Sequence, residues 1–240
     1  DGTPYFYRRY STEGLGSADF HVNPNNLISF YKYRGGEDGI HIVMDEHFVE
    51  IDTFQAAPGY QTDNHEMLLL DNGHALLIAQ DNVPVDMSEI VDGGNPEATL
   101  QGNYVQEVDD EGNVYWEWRT WDHLDIKNSR ENLTQGYIDY VHLNSIGIDY
   151  DGNYVLSLRN YSQVVKIDSE TGDIIWRLGG NTNEFEINDD WPISWQHCMK
   201  PVPGEPNHYT IYDNGNKRQP NDTRAVEYAV DTERMVADKV

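Results

Sequence analysis

Residues 164–176 read VVKIDSETGDIIW, and this stretch decides the fold class. Two short runs rich in β-branched and aromatic residues flank a polar segment that contains Gly172, a pattern typical of two antiparallel strands joined by a turn. Residues 105–118, VQEVDDEGNVYWEW, repeat this pattern clearly, residues 226–236 repeat it weakly, and residues 28–52 carry the faintest copy. No long stretch has a helical apolar period, so the sequence predicts an all-β protein made of repeated units.

Three of these units begin near a histidine. His65 leads into residues 68–77, His142 into residues 143–156, and His197 into residues 208–212 after a Pro-rich turn. The histidines are 77 and 55 residues apart, whereas propeller blades usually run to about 40–50 residues with insertions in their loops.

This spacing predicts one β-propeller domain over residues 1–240, with about four blades and insertion loops at about 82–103 and 122–135. The sequence begins in a turn-like pattern and ends in a strand-like one. We therefore expect the four blades to be an internal fragment of a larger, six-bladed propeller that is incomplete at both ends.

The composition restricts the kinds of partner. The net charge is −26, from 42 acidic and 16 basic residues, and the acidic residues are spread through predicted turns. This charge disfavours nucleic acids and anionic membrane surfaces, because both are bound by clustered Lys and Arg. No apolar run is long enough to insert into a membrane. Cys198 is the only cysteine, so the chain has no internal disulfide and no cysteine-ligated zinc site.

A repeated unit with a histidine at one place can gather His65, His142 and His197 around a common axis. Such imidazoles can bind a metal, act as acid and base, or supply a nucleophile, although each one can also be a structural residue that bonds its neighbours. Arg159 lies in the same unit as His142, and its guanidinium is suited to sulfate, phosphate or carboxylate. Its charge argues mildly against a metal. Tyr161 and Trp195 are candidates for the wall of an aryl pocket.

Several segments in order resemble the arylsulfotransferase family of donor-dependent bacterial enzymes built on β-propellers. The central one is residues 140–146, YVHLNSI, which includes His142 and Asn144. The further segments are residues 65–77, 106–123, 164–180, 195–197, 212–216 and 224–228. The resemblance covers nearly the whole chain and is densest from 137 to 230.

The resemblance implies transfer of a sulfuryl group from a phenolic sulfate ester to a phenol acceptor, without a nucleotide sulfate donor. The family uses a ping-pong route through a sulfated histidine. His197 matches that nucleophile, and His65, His142 and Arg159 match its supporting site; we expect Asn144, Tyr161 and Trp195 to contact substrate. The resemblance implies no cofactor or metal, an aryl sulfate donor and a phenolic acceptor as small-molecule partners, and a periplasmic or secreted bacterial protein.

Two positions depart from the family pattern. Cys198 stands where an acidic residue often follows the nucleophile, and Asn160 stands where a histidine often follows the arginine. Neither belongs to the four matched catalytic positions, so the departures bear on substrate preference. Two other functions stay open: a catalytically inactive propeller that binds small anions or serves as an interaction scaffold, and a metal-dependent hydrolase or lyase that uses the histidines as ligands.

Overall fold

Four β-sheets follow one another along the chain in a computed structural model that describes residues 3, 6–7, 16–23, 25–35 and 38–240. Within these residues, the helical structure is one short α-helix, α1 (Thr120–His123), and three 3₁₀ turns at Met87–Glu89, Ile126–Asn128 and Arg159–Tyr161. None of the described helices has the length and apolar character needed to cross a membrane. The prediction of an all-β protein is confirmed.

The first two sheets occupy the N-terminal half of the chain. Sheet 1 contains, in spatial order, β1 (Ser17–Val22), β2 (Ile28–Gly35), β3 (Asp38–Met44) and β4 (Glu50–Phe54). Sheet 2 contains β5 (Gln61–Leu69), β6 (Ala75–Val85), β7 (Ala98–Val108) and β8 (Val114–Arg119), with β9 (Tyr137–Asp139) paired to β7. The four main strands of each sheet are antiparallel to their neighbours.

The other two sheets occupy the C-terminal half. Sheet 3 contains β10 (Leu143–Ile148), β11 (Tyr154–Leu158), β12 (Gln163–Ile167) and β13 (Ile174–Gly179). Sheet 4 contains β14 (Glu186–Asn188), β15 (His197–Pro201), β16 (His208–Asp213), β17 (Arg224–Asp231) and β18 (Val236–Lys239), in the spatial order β14-β18-β17-β16-β15. The stretch quoted first, residues 164–176, forms the β12–β13 hairpin.

Two short strands depart from the expected four-stranded antiparallel units. Strand β9 pairs in parallel with β7, and β14 pairs in parallel with β18, each over three residue pairs. Strands this short leave almost no alternating pattern in the sequence, so only the fold places them on the sheets.

Strands β6 and β7 are longer than the sequence pattern indicates. They pair through to Val85 and Ala98, so both ends of the segment 82–103 are strand and only its middle is a connection. The segment 122–135 contains the end of α1 and a 3₁₀ turn and is otherwise irregular. The first segment is rich in Asp, Asn, Pro and Gly, which are generally depleted in β-sheets, so the sequence pattern does not reveal its strands.

Apolar cores fill the spaces between consecutive sheets. One cluster lies between sheets 1 and 2, one between sheets 2 and 3, and one between sheets 3 and 4. In β11, Leu156 faces the core shared with sheet 2, and Val155 faces the core shared with sheet 4. Side chains alternate across a strand, so a strand between two cores must be apolar on both faces. This explains the almost unbroken apolar runs of β11 and β12.

One edge strand of each sheet contacts an edge strand of the next sheet. Strand β1 packs beside β5, β5 beside β10, and β10 beside β15. The three histidines noted in the sequence all lie on or directly before β5, β10 and β15, so this packing determines how closely they approach.

We expect Leu156→Ala to lower the free energy of unfolding by about 2–5 kcal/mol, because Leu156 is fully buried between two sheets and its loss leaves a cavity. Ile175→Ala is the matched control: Ile175 lies in the same sheet and is 47% exposed, so its effect should be about 0.5 kcal/mol or less. Urea denaturation followed by tryptophan fluorescence measures both. Equal losses for the two variants would contradict the packing described here.

Candidate functional site

Three histidines from three sheets meet at the inner strands. The ring centroids of His65 and His142 are 5.0 Å apart, those of His65 and His197 are 6.0 Å apart, and those of His142 and His197 are 6.3 Å apart. Each ring offers one nitrogen, and these three nitrogens all lie within 4.8 Å of one another. The sequence prediction that the histidines converge agrees with this geometry.

Irregular backbone brings these side chains together. The pairing of β5 with β6 is interrupted between Thr62 and Met67, and the first pairs of β10–β11 and β15–β16 are also shifted in register. His142 has a φ of 52°, in the left-handed region that residues other than glycine rarely adopt. Bulges of this kind change the direction of side chains, and they are frequent beside active sites.

Each histidine is held through its Nδ1 atom. His65 Nδ1 lies 2.7 Å from a carboxylate oxygen of Asp63, and His142 Nδ1 lies 2.5 Å from one of Asp139. His197 Nδ1 lies 2.6 Å from the amide oxygen of Asn214. An oxygen acceptor at Nδ1 requires the proton there, so the Nε2 lone pair of a neutral ring is free to react.

The three acceptors differ in charge, and the pKa values of His65 and His197 are shifted in opposite directions. Burial disfavours the imidazolium of His65, but the hydrogen bond and negative charge of Asp63 outweigh it and raise the pKa of His65. Burial lowers the pKa of His197, the neutral Asn214 opposes this only in part, and the nearby positive charges of His65, His142 and Arg159 lower it further. Near neutral pH, His197 is therefore the neutral imidazole and His65 is the ring that more readily carries a proton.

Arg159 lies beside this group. Its backbone N–H donates to the carbonyl of His142 over 3.1 Å, and its side chain lines a cavity of about 280 Å³ together with His142 and Asp139. The guanidinium carbon is 3.9 Å from the ring centroid of Trp195, and the buried Nε has no hydrogen-bond partner. Burial lowers the pKa of Arg159, but an arginine remains charged at any physiological pH. An anion in the cavity would therefore meet a fixed positive charge.

Asn160, which departs from the family pattern, holds this part of the site. Its side-chain N–H donates to the carbonyl of Asp139 over 2.6 Å, and its amide oxygen accepts from Arg159 over 3.0 Å. Since Asp139 in turn holds His142, the amide connects two predicted site residues. The other departure, Cys198, is exposed and follows the nucleophile candidate with a φ of 49°.

The three predicted substrate-binding residues have different surroundings. Trp195 lies against the site, with Arg159 on its ring and the ammonium of Lys217 4.3 Å from the ring centroid. Asn144 is buried, donates to the carbonyl of Gln196 over 2.9 Å, and has an amide oxygen without a partner. Tyr161 is packed in the core between sheets 2 and 3, and its hydroxyl donates to the carbonyl of Asp125. The structure thus brings Trp195 to Arg159 and packs Tyr161 into the core.

Buried polar residues fix the segment that carries His197. The side-chain N–H groups of Gln196 donate to Ser157, Leu158 and Gln163 of sheet 3. These contacts attach the start of β15 to the neighbouring sheet, so His197 follows a residue that cannot move freely.

A buried carboxylate at the end of β16 holds Asn214 in place. Asp213 accepts from the backbone of Ser194, from Arg218 over 2.5 Å and from Arg224 over 2.9 Å. Since Asn214 follows Asp213 directly, the same ion pairs position the group that orients His197.

Sequence reasoning did not identify Asp63, Asp139 and Asn214. A local signal exists for the first two, because each lies two or three residues before its histidine and also accepts that histidine's backbone N–H. Asn214 has no such signal, since it is 17 residues from His197 and directly follows β16. The register of β15 with β16 brings it to His197.

The chain matches the model of the arylsulfotransferase (ASST) family over residues 48–240. No curated protein matches it. Among solved structures, it is similar to a protein of unknown function from Bacteroides caccae, with 12% sequence identity and a TM-score of 0.43 over 95% of this chain and 88% of that one. The family match spans well over half of the sequence. The chain therefore belongs to the arylsulfotransferase family.

Proposed function

We propose that this protein transfers a sulfuryl group from a phenolic sulfate ester to a phenol acceptor through a covalent intermediate on His197. Membership of the family supports sulfotransferase chemistry. One observation carries the assignment of His197: of the three gathered imidazoles, only His197 is held by a neutral amide, and it is the one whose pKa is lowered.

In the first step, the Nε2 lone pair of His197 attacks the sulfur of the aryl sulfate. The N–S bond forms as the bond between sulfur and the phenolic oxygen breaks, and the phenolate leaves. A neutral imidazole is both a nucleophile and a leaving group near neutral pH, so the same atom suits formation and breakdown of the intermediate.

Arg159 and His65 supply positive charge to the sulfuryl oxygens in this step. Fixed donors that point at developing charge stabilise a transition state because they need not reorganise as it forms. His65 also protonates the leaving phenolate, since the raised pKa of this histidine keeps a proton available.

In the second step, the acceptor phenol gives its proton to the now neutral His65. The phenol oxygen then attacks sulfur, the N–S bond breaks, and neutral His197 is restored. Donor and acceptor bind in turn at one place, and in this proposal the phenolic ester itself supplies the sulfuryl group, without a nucleotide sulfate donor. Trp195 offers an aromatic face beside the cavity, which suits an aryl group.

We also propose that the four sheets are consecutive blades of a β-propeller. The cores between consecutive sheets support this arrangement, as do the contacts of β1 with β5, β5 with β10 and β10 with β15. In a propeller the innermost strands line a central channel, where residues from several blades can form one site.

The histidine geometry also favours a second candidate function. Three imidazole nitrogens within 4.8 Å of one another suit a divalent cation, as in a metal-dependent hydrolase or lyase. The guanidinium of Arg159 and the raised pKa of His65 both oppose a cation there. Activity that is lost on chelation and restored by added metal would favour this second candidate.

We expect His197→Asn to abolish transfer from a chromogenic aryl sulfate to a phenol, because the amide cannot form the sulfated intermediate. His208→Asn is the matched control, since His208 lies on a strand of the same sheet and bonds Glu227 instead. Intact-protein mass spectrometry after donor is added without acceptor should show a covalent adduct in the control and none in the variant. Peptide mapping that places the adduct on a tyrosine, a serine or another histidine would refute the assignment.

Replacing Arg159 by methionine should lower kcat/KM by about 10²–10³-fold, the usual cost of losing one fixed donor to a transition state. Lys217→Met offers a matched control, because both cations lie on the ring of Trp195 but only Arg159 lines the cavity with His142. Steady-state kinetics with the chromogenic donor compares them. Similar losses in both variants would mean that the Trp195 contact matters, and that the guanidinium does not act on the sulfuryl group.

Asn214→Asp should move the acid limb of the kcat/KM profile to higher pH. The reaction needs neutral His197, so activity falls as pH decreases through the pKa of His197. A carboxylate in place of the amide stabilises the imidazolium and raises that pKa. If the acid limb does not move, His197 is not the group whose neutral form is required. Asn214→Ala is the control, because it removes the oxygen that orients His197 without adding a charge.

A further inference from the structure

One segment of chain supplies most of the remaining wall of the cavity that Arg159 and His142 line. This segment, residues 131–139, comprises the connection before β9 and β9 itself. The cavity has a volume of about 280 Å³, close to the lower end of the usual range for small-molecule sites, about 300–1,000 Å³. It therefore has room for one substituted aromatic ring between the candidate site and this segment.

Hydrogen bonds hold the beginning of the segment against the rest of the site. The hydroxyl of Ser129 donates to the carbonyl of Tyr140 over 2.7 Å and accepts from the backbone N–H of Glu131 over 3.2 Å. The backbone N–H of Arg130 donates to the carbonyl of Asn160 over 2.7 Å. Since Asn160 itself lines the cavity, the backbone of Glu131 is fixed relative to the cavity.

Two carboxylates line the cavity, and they differ in what they bond. Asp139 accepts from both the backbone N–H and the Nδ1 atom of His142. Within the residues that the structure describes, no hydrogen bond or ion pair holds the partly buried carboxylate of Glu131. Burial lowers the pKa of Arg159, and the negative charges of Asp139 and Glu131 oppose this shift, so Glu131 lies within electrostatic range of the guanidinium. A carboxylate in this setting favours a ligand that brings a positive charge.

A bound sulfate ester strengthens this preference. Its negative sulfuryl group takes up the charge of Arg159 that otherwise offsets Glu131, so two negative groups then share a small cavity. A positive substituent at the other end of the aromatic ring pairs with Glu131 and removes the repulsion. The net charge of −26 acts in the same direction, because it attracts cations toward the protein and repels anions.

An aromatic side chain of the same segment suits the ring of such a compound. Tyr137 lines the cavity, is 48% exposed, and donates its hydroxyl to the amide oxygen of Gln101. Strand β9 pairs Tyr137 with Thr99 of β7, so both ends of this side chain are held. A fixed ring offers a face for stacking, and that face also attracts a cation.

We propose that this cavity selects phenolic reactants that carry an ammonium group, and that Glu131 is the residue that pairs with it. This selectivity rests on the proposed sulfuryl transfer, since it names the class of reactant for the same site. In the bound ester, the sulfuryl group lies at Arg159 and the histidines, the ring lies against Tyr137, and the ammonium lies at Glu131. The acceptor phenol takes the same orientation after the first product has left, so both reactants are selected alike.

Transfer to three phenols of similar size tests this selectivity: para-(aminoethyl)phenol, para-propylphenol and para-hydroxyphenylpropionate, which are positive, neutral and negative at neutral pH. With one chromogenic donor, kcat/KM for the positive phenol should exceed that for the neutral one by about 3–10-fold, the effect of one partly screened ion pair. The negative phenol should be the poorest acceptor. Glu131→Gln should remove this order, and Glu131→Lys should reverse it. Glu111→Gln is the matched control and should keep the order, because it removes the same charge from an exposed turn between β7 and β8.

Binding of the sulfate esters to the His197→Asn protein separates the selectivity from the proposed reaction, because that protein cannot form the intermediate. Isothermal titration should show tighter binding of the para-(aminoethyl)phenol ester than of the para-propylphenol ester, and adding Glu131→Gln should remove the difference. If the esters bind in this order but the unaltered protein transfers nothing, the proposed function fails and the selectivity is upheld. The selectivity is overturned if the two esters bind equally or not at all. It is overturned equally if the Glu131→Gln protein, shown to be folded by circular dichroism, keeps the order of the three phenols.

Discussion

The electrostatics of three imidazoles and one guanidinium in a single partly buried site constrain the surrounding structure. Like charges this close repel one another strongly in a protein interior, so the group is stable only if some members are neutral and others are compensated. The carboxylate of Asp63 favours a proton on His65, Asp139 bonds His142, and the neutral amide of Asn214 brings no negative charge to His197. The same electrostatics leave His197 as the neutral ring, while His65 more readily carries a proton.

Buried polar groups of sheets 3 and 4 support this arrangement. Gln196 is completely buried and donates to three acceptors of sheet 3, and Asp213 is completely buried between two arginines. Such groups are costly when unpaired and rigid when paired. They flank His197 and Asn214 in sequence, so buried polar contacts lie directly next to the His197–Asn214 pair.

The inner end of β5 connects two polar centres. Asp63 holds His65 with its side chain and accepts from His41 with its backbone carbonyl, and Glu66 lies one residue beyond His65. The break in strand register between Thr62 and Met67 makes this possible, because a regular strand would send alternate residues to opposite faces. The same irregularity thus serves both the histidine site and the contact with His41 of sheet 1.

Much of this protein follows from its sequence alone. The repeated apolar runs and turns determine an all-β fold, and the apolar faces of β11 and β12 determine that these strands lie between two cores. The position of each histidine at the start of a unit determined that His65, His142 and His197 would meet. These features are local, because they depend on side-chain period and on residues close in sequence.

Only the tertiary structure decided the partner of each side chain. Asn214 reaches His197 through the register of two strands, His41 reaches Asp19 across a bulge, and Tyr161 turns into the core although it lies two residues from Arg159. Register shifts and bulges change the direction of a side chain without changing the apolar pattern, so the sequence does not encode them visibly. The sequence by itself determined that the three histidines meet, and the packing of the sheets decided that a carboxylate bonds His65 while a neutral amide bonds His197.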